Sequence, residues 1–192
     1  MTRLWWVRHG PTHAKTMVGW SDLPADLSDL GAIARLCAYL PQNAVVVSSD
    51  LTRAVATADA VQGNRLRLPN DRKLREMHFG DWELRSHNQI EAETPDLIRA
   101  FWDRPGDVRP PNGESWNDIN ARIFAATDCL INDFPGRDII VVAHFGAILS
   151  AVQRAENLTA EQAFSHRIDN LSVTDMHIGP SGWRIGTINH IA

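Results

Sequence analysis

Apolar residues fall into two patterns along this chain: short unbroken runs, and longer stretches in which they recur at every third or fourth position. The runs "LWWV" (residues 4–7), "AVVVSS" (44–49) and "DIIVVAHFG" (138–146) have the length and β-branched content of covered strands. Between them, "SDLGAIARLCAYL" places Ile33, Leu36, Cys37 and Leu40 on one helical face, with Ser28 positioned to cap and Pro41 to close. The alanine-rich "DLTRAVATADAV" predicts a helix over 51–62 that stops at Gly63, and "RLRL" after it predicts a third, outer strand. From about 70 to 115 the periodicity weakens, leaving a loop "REMHFGDWE", one helix inside 86–102 and the Pro/Gly-rich "RPGDVRPPNGES". A long helical pattern then runs from Ser115 to about Phe134 and ends at Pro135-Gly136, and "AILSAVQRA" is helical again after the last covered strand. "LSVTDMHI" and "WRIGTINH" alternate apolar with polar around the Gly179–Gly182 turn, predicting an edge hairpin.

Strands and helices thus alternate through most of the chain, and three strand runs end in polar residues. The expected fold is α/β: a three-layer α/β/α sandwich, a mostly parallel central sheet with an antiparallel edge strand, and a site outside the carboxyl ends of the strands. With 192 residues and no composition break, one domain spanning 1–192 is expected.

Composition narrows the function classes. A formal net charge of -4 argues against a general DNA or RNA binder, and no stretch approaches the roughly 18 apolar residues of a membrane span. The start "MTRLWW" lacks the long apolar core of a secretory signal. Cys37 and Cys129 have no metal-type spacing, so both are expected to be reduced and mostly buried, as in a cytoplasmic protein. The seven tryptophans serve either as core or as pocket walls, and the sequence does not divide them.

The polar residues at the strand ends are Arg8, His9, Ser48, Ser49, Arg53 and His144, joined by Glu76 from the loop after the third strand. Each has a bland alternative: a surface arginine, a satisfied core histidine, a solvated carboxylate. Together they have a chemical logic. Two guanidiniums grip a phosphoryl dianion, an imidazole attacks phosphorus, and a carboxyl group protonates the leaving oxygen. No carboxylate cluster stands ready for Mg²⁺, and "GPTHAK" lacks the spacing of a nucleotide-binding P-loop. A serine hydrolase using Ser48 or Ser49 with His144 is weaker, because no Gly-x-Ser-x-Gly elbow is present.

"VRHGPT" resembles the signature of the histidine phosphatase superfamily, the phosphoglycerate-mutase-like proteins. "GWSDLP", "SSDLTRAVATA", "LREMHFGDWE", "PPNGES", "VVAHFG" and "NLSVTDM" follow in the family order. The resemblance implies that His9 is the nucleophile that becomes phosphorylated, that Arg8 and Arg53 bind phosphate, and that His144 contacts the phosphoryl oxygens. It further implies that Glu76 is the proton donor, that Thr12 lies near the phosphate, and that no metal or other cofactor takes part. Pro11, Lys15 and Phe145 depart from the common pattern. Lys15 is either a third phosphate-binding cation or a solvent-facing one, and Phe145 either narrows the pocket or turns into the core.

A mutase of this superfamily carries a sizeable insertion after the acid loop and a C-terminal tail. Here residues 77–113 are all that separates Glu76 from "ES", and the last strand lies close to Ala192. The acid loop is most similar to the branch of α-ribazole-phosphate and broad-specificity sugar-phosphate phosphatases. The expected function is therefore hydrolysis of a small phosphate monoester. A phosphomutase, a phosphoprotein phosphatase and a non-catalytic phosphate-binding domain are the alternatives. The edge hairpin either pairs across a homodimer or is capped by solvent and charge.

Overall fold

The computed structural model describes residues 1–192. Six strands, β1 (Thr2–Arg8), β2 (Val45–Ser48), β3 (Leu66–Arg67), β4 (Asp138–Ala143), β5 (Val173–Gly179) and β6 (Gly182–Ile185), form one sheet in the order β3-β2-β4-β1-β5-β6. β1, β2, β3 and β4 pair in parallel, while β5 runs antiparallel to β1 and β6 antiparallel to β5. The antiparallel edge is thus the predicted hairpin, two strands rather than one.

Side-chain alternation along the central strands creates the layers. Trp5, Val7, Val46, Ile140 and Val142 face one side, where they pack with Ile33, Leu36, Ala54, Ala58 and Val61 of α1 (Leu30–Tyr39) and α2 (Thr52–Gln62). Leu4, Trp6, Val45, Val47, Ile139 and Val141 face the other. There they meet Ile119, Ile123, Ile148 and Val152 of α5 (Trp116–Asp133) and α6 (Phe145–Glu156). The two tryptophans of "LWWV" therefore enter opposite cores.

Three local expectations are corrected and one element is added. Asp29, not Ser28, caps α1, its carboxylate accepting from the Ala32 N–H at 2.9 Å. The single helix expected inside 86–102 is two, α3 (His87–Glu93) and α4 (Pro95–Asp103), because Pro95 can start a helix but not continue one. A short α7 (Ala160–Phe164), opened by a Thr159/Gln162 capping box, lies where the apolar pattern predicts no element. Cys129 is exposed and Cys37 only half-buried, against the expectation that both are mostly buried; both are free thiols. No helix is long and apolar enough to cross a membrane.

Candidate active site

The parallel strands β1, β2 and β4 lie side by side, so their carboxyl ends deliver side chains to one rim. His9 follows β1 directly and is pinned there by its backbone, whose N–H donates to the Ala143 carbonyl at 3.0 Å and whose carbonyl accepts from Asn170 Nδ2 at 2.8 Å. The residue is only 7% exposed. Nδ1 lies 2.7 Å from the Gly10 carbonyl oxygen, which can only accept, so Nδ1 carries the proton and Nε2 keeps the lone pair. Burial and the neighbouring Arg53 and Arg8 guanidiniums hold the His9 pKa down at about 3. The imidazole is neutral at physiological pH.

Arg53, in the first turn of α2, is buried and reaches His9 with Nε 3.3 Å from Nε2. Its other nitrogens donate to the Ser21 carbonyl at 2.9 Å and the Gly19 carbonyl at 2.6 Å. Arg8 donates through Nη1 to the Ile168 carbonyl, while its buried Nε has no protein partner. His144, at the N-cap of α6, is completely buried, with its ring centroid 5.0 Å from that of His9 and neither ring nitrogen hydrogen-bonded to protein. Burial first, then His9 and Arg53, push its pKa well below the ordinary range. A buried unpartnered polar group costs about 1–3 kcal/mol. Orphan nitrogens on Arg8 and His144, both beside His9, fit a site that expects an oxygen-rich anion.

Glu76 enters from the loop after β3, buried to 8% exposure. Oε1 accepts from the Met77 N–H at 2.8 Å, and both oxygens share the Gly146 N–H at 3.1 and 3.0 Å. Desolvation raises its pKa and outweighs the opposing pull of these N–H groups and of Arg53 and Arg8. The Gly146 backbone can come this close only without a side chain, since a Cβ there would lie 2.4 Å from Oε1.

Arg8, His9, Thr12, Ala14, Thr16, Val18, Arg53 and Glu76 line one cavity of about 440 Å³ counting its mouth. His144 sits behind its wall. Lys15 is exposed and lines no cavity, so of its two expected placements the structure has the solvent-facing one. Phe145 turns to the pocket side, with the Arg8 guanidinium 5.3 Å from its ring centroid. Ser48 is committed to Asn70 and Arg67, and the Ser49 hydroxyl accepts from the Leu51 N–H; neither hydroxyl meets His144. A larger cleft, about 830 Å³ counting its mouth, lies along α1 and contains neither arginine, neither histidine nor Glu76. No three His, Cys, Asp or Glu side chains gather as metal ligands would.

Two supporting residues carried no local sequence signal for their roles. Glu83 accepts from the backbone N–H groups of Gly19, Trp20, Ser21 and Phe79 and from the Ser21 hydroxyl, which fixes the loop whose carbonyls hold Arg53. Asn170 clamps the His9 carbonyl. Both act across long sequence separations, which no periodicity reveals.

Comparison with known proteins agrees with this geometry. A family model described as histidine phosphatase superfamily (branch 1) matches residues 4–191. Glucosyl-3-phosphoglycerate phosphatase of Mycobacterium tuberculosis is 35% identical, covering 80% of this chain and 74% of its own. A 2,3-bisphosphoglycerate-dependent phosphoglycerate mutase of Allorhizobium ampelinum is 30% identical, covering 83% and 82%. The crystal structure of the α-ribazole phosphatase from Shigella flexneri superposes with a TM-score of 0.85 at 27% identity, covering 99% of this chain and 97% of its own. The chain belongs to the histidine phosphatase superfamily, branch 1, and is a hydrolase of that phosphohistidine type.

Proposed function

We propose that this protein is a phosphomonoesterase that releases phosphate from a small phosphorylated metabolite, with His9 as nucleophile and Glu76 as general acid and base. The observation that carries the reading is the His9 imidazole itself, which is neutral, tautomerically fixed with its lone pair on Nε2, and flanked by two guanidiniums. The substrate phosphoryl group docks against Arg8, Arg53, Thr12 and His144, whose positive charge and N–H or O–H groups replace water around its oxygens. As Nε2 attacks, the P–N bond forms and the P–O bond to the alcohol breaks. Glu76 gives its proton to the departing oxygen. Water then attacks the phosphohistidine, its proton returns to Glu76, the P–N bond breaks, and inorganic phosphate leaves. The two guanidiniums supply the positive field in both steps, with the neutral histidines adding hydrogen bonds, so the reaction is metal-independent.

The mutase named among the relatives suggests the other outcome, return of the phosphoryl group to a second alcohol. A phosphoglycerate mutase must also hold a carboxylate and a second phosphate. No cation beyond Arg8 and Arg53 lines the cavity at His9, which favours hydrolysis. The two free thiols are in keeping with a cytoplasmic enzyme.

Rapid alkaline quench of a reaction with 4-nitrophenyl phosphate, followed by mapping of the labile phosphoryl group, should find it on His9, and His9→Gln should show neither label nor turnover. Label on a serine or on His144 would overturn the assignment.

A further inference from the structure

The backbone that delivers Glu76 is held by a part of the molecule that has no place in the phosphate cavity. Arg122, in the second turn of α5, turns its side chain inward, 16% exposed, against the acid loop. Nη1 donates to the carbonyls of Lys73 and Arg75, both at 2.9 Å, and Nη2 to the carbonyl of Glu76 at 3.1 Å. One planar guanidinium thus satisfies carbonyls that have no sheet or helix partner to turn to. Glu114, just before α5, takes the other face of the fork, accepting from Nε at 2.8 Å and from Nη2 at 2.7 Å. The same carboxylate accepts from the His78 N–H at 2.9 Å, and the Glu114 N–H donates back to the His78 carbonyl at 2.8 Å. The pair therefore grips the acid loop on both sides of Glu76: residues 73, 75 and 76 through the arginine, residue 78 through the glutamate.

A second donor converges on the Glu76 carbonyl. Trp20 Nε1 reaches it at 2.7 Å from the loop that holds Arg53, and the Arg122 guanidinium lies 6.0 Å from the centroid of the same indole. The Glu76 carbonyl and the Met77 N–H belong to one planar peptide, so donors that fix the oxygen also fix the N–H. That N–H donates to Glu76 Oε1 at 2.8 Å, and the carboxyl meets the Gly146 N–H beyond it. A rotation of this peptide would swing the N–H away and release the carboxyl. Neither Arg122 nor Glu114 lines the cavity at His9, so neither touches the reacting groups.

We propose that the Arg122–Glu114 pair positions the general acid: it sets the Glu76 peptide and, through the Met77 N–H, the aim of the carboxyl at the leaving oxygen. The inference rests on the phosphomonoesterase reading, with Glu76 as proton donor, and assigns to two residues outside the cavity a part in its acid step.

Two variants test it. Arg122→Lys keeps the charge but replaces the fork by a point donor, and Glu114→Gln keeps an oxygen for the His78 N–H while removing the charge that orients the guanidinium. Single-turnover formation of phosphohistidine is compared for glycerol 3-phosphate and 4-nitrophenyl phosphate. In both variants the rate should fall about tenfold with the alkyl ester and less than about threefold with the aryl ester, with KM little changed, because a misaimed acid matters only to a leaving group that needs its proton. On a Glu76→Gln background, Arg122→Lys should slow the alkyl ester no further, since the proton that it aims is gone. Equal losses for the two esters, or independent losses in the double variant, would overturn the proposal while leaving the phosphatase reading intact. If 4-nitrophenyl phosphate fails to label His9 in the wild type, the phosphatase reading falls, and amide hydrogen exchange decides on the positioning alone. The Met77 and Gly146 amides should then exchange about tenfold faster in both variants, well beyond any change at the amides of β1 and β4. Exchange unchanged at Met77 and Gly146, or raised only as much as in the sheet, would remove the pair from the placement of Glu76.

Discussion

His9 and Glu76 are given opposite chemical roles by the same burial. Desolvation penalises charge on either group, so it lowers the histidine to about 3 and raises the carboxyl, favouring a neutral nucleophile and the acid form of Glu76. The division sets the pH dependence. Because the acid form of Glu76 is the active one, kcat/KM for an alkyl phosphate should fall as pH rises through the raised Glu76 pKa, and His9 should not titrate in the neutral range. Glu76→Gln removes the proton and with it that alkaline limb. The loss with an alkyl ester should be about 10²–10⁴-fold, and clearly smaller with 4-nitrophenyl phosphate, whose leaving group needs no proton. Single-turnover formation of phosphohistidine is the measurement, since slow hydrolysis would mask the contrast. Equal losses for the two esters would make Glu76 a structural residue. The alternatives in its loop are already engaged: Glu83 with five donors, Asp81 with the Asn112 amide, and His78, whose Nδ1 accepts from the Gly80 N–H. Gly146 explains why the unusual Phe145 is tolerated. The close approach to Glu76 belongs to position 146, so position 145 is free to carry a ring.

At the scale of elements, the site depends on how α2 and the 19–22 loop lock together. α2 has no side-chain cap of its own at Leu51; Asp22 caps it from the loop, accepting from the Thr52 N–H at 2.7 Å and its hydroxyl at 2.6 Å. The next residue is Arg53, held by the same loop through Gly19 and Ser21. Glu83 fixes the loop in turn, and its carboxyl is pulled below the usual range by these hydrogen bonds despite opposing desolvation. Glu83→Gln keeps the size but weakens the charge-assisted bonds, so Arg53 should lose its fixed aim at His9. We expect about a tenfold fall in kcat, greater than the change in KM, with Glu83→Asp partly restoring it; an unchanged kcat would remove Glu83 from the site. This linkage also marks the limit of what the sequence shows. β1, β2 and β4 are legible because a strand covered on both faces must be an unbroken apolar run, and the residues that end those runs, Arg8, His9 and His144, are legible with them. The split at Thr94 is not, because this residue ends α3 and begins α4 at once, and Pro95 is compatible with either a break or a start. Glu83, Asp22 and Asn170 are invisible as partners because each bonds a segment far away in the chain.

For the molecule as a whole, concentrating histidines of lowered pKa and a glutamate of raised pKa in one buried site ties global stability to pH from two sides. In the unfolded chain His9 takes up a proton near 6.5, whereas in the native protein it does so near 3, and His144 is shifted in the same direction. Between those values the unfolded state binds the extra protons. Stability is therefore full above about 6.5 and is lost as pH falls, by up to about 1.4 kcal/mol per pH unit for each histidine. Glu76 acts in the opposite sense. Its folded pKa lies above the unfolded 4.5, so its contribution is present in acid and is lost as pH rises through the folded value. Urea denaturation at pH 7 and pH 5 should show the wild type losing stability toward acid, and His9→Gln, which removes one of the two titrating rings, losing about 1–2 kcal/mol less over the same interval. Inorganic phosphate, the reaction product, offers an independent check. It binds only the folded site and gives the cationic form of either ring a counter-charge, so saturating phosphate should both raise the unfolding midpoint and flatten its acid slope in the wild type. In His9→Gln the flattening should shrink. An acid slope identical in wild type and variant, with and without phosphate, would place the protons elsewhere and show that the buried histidine pair does not govern the acid stability of the fold.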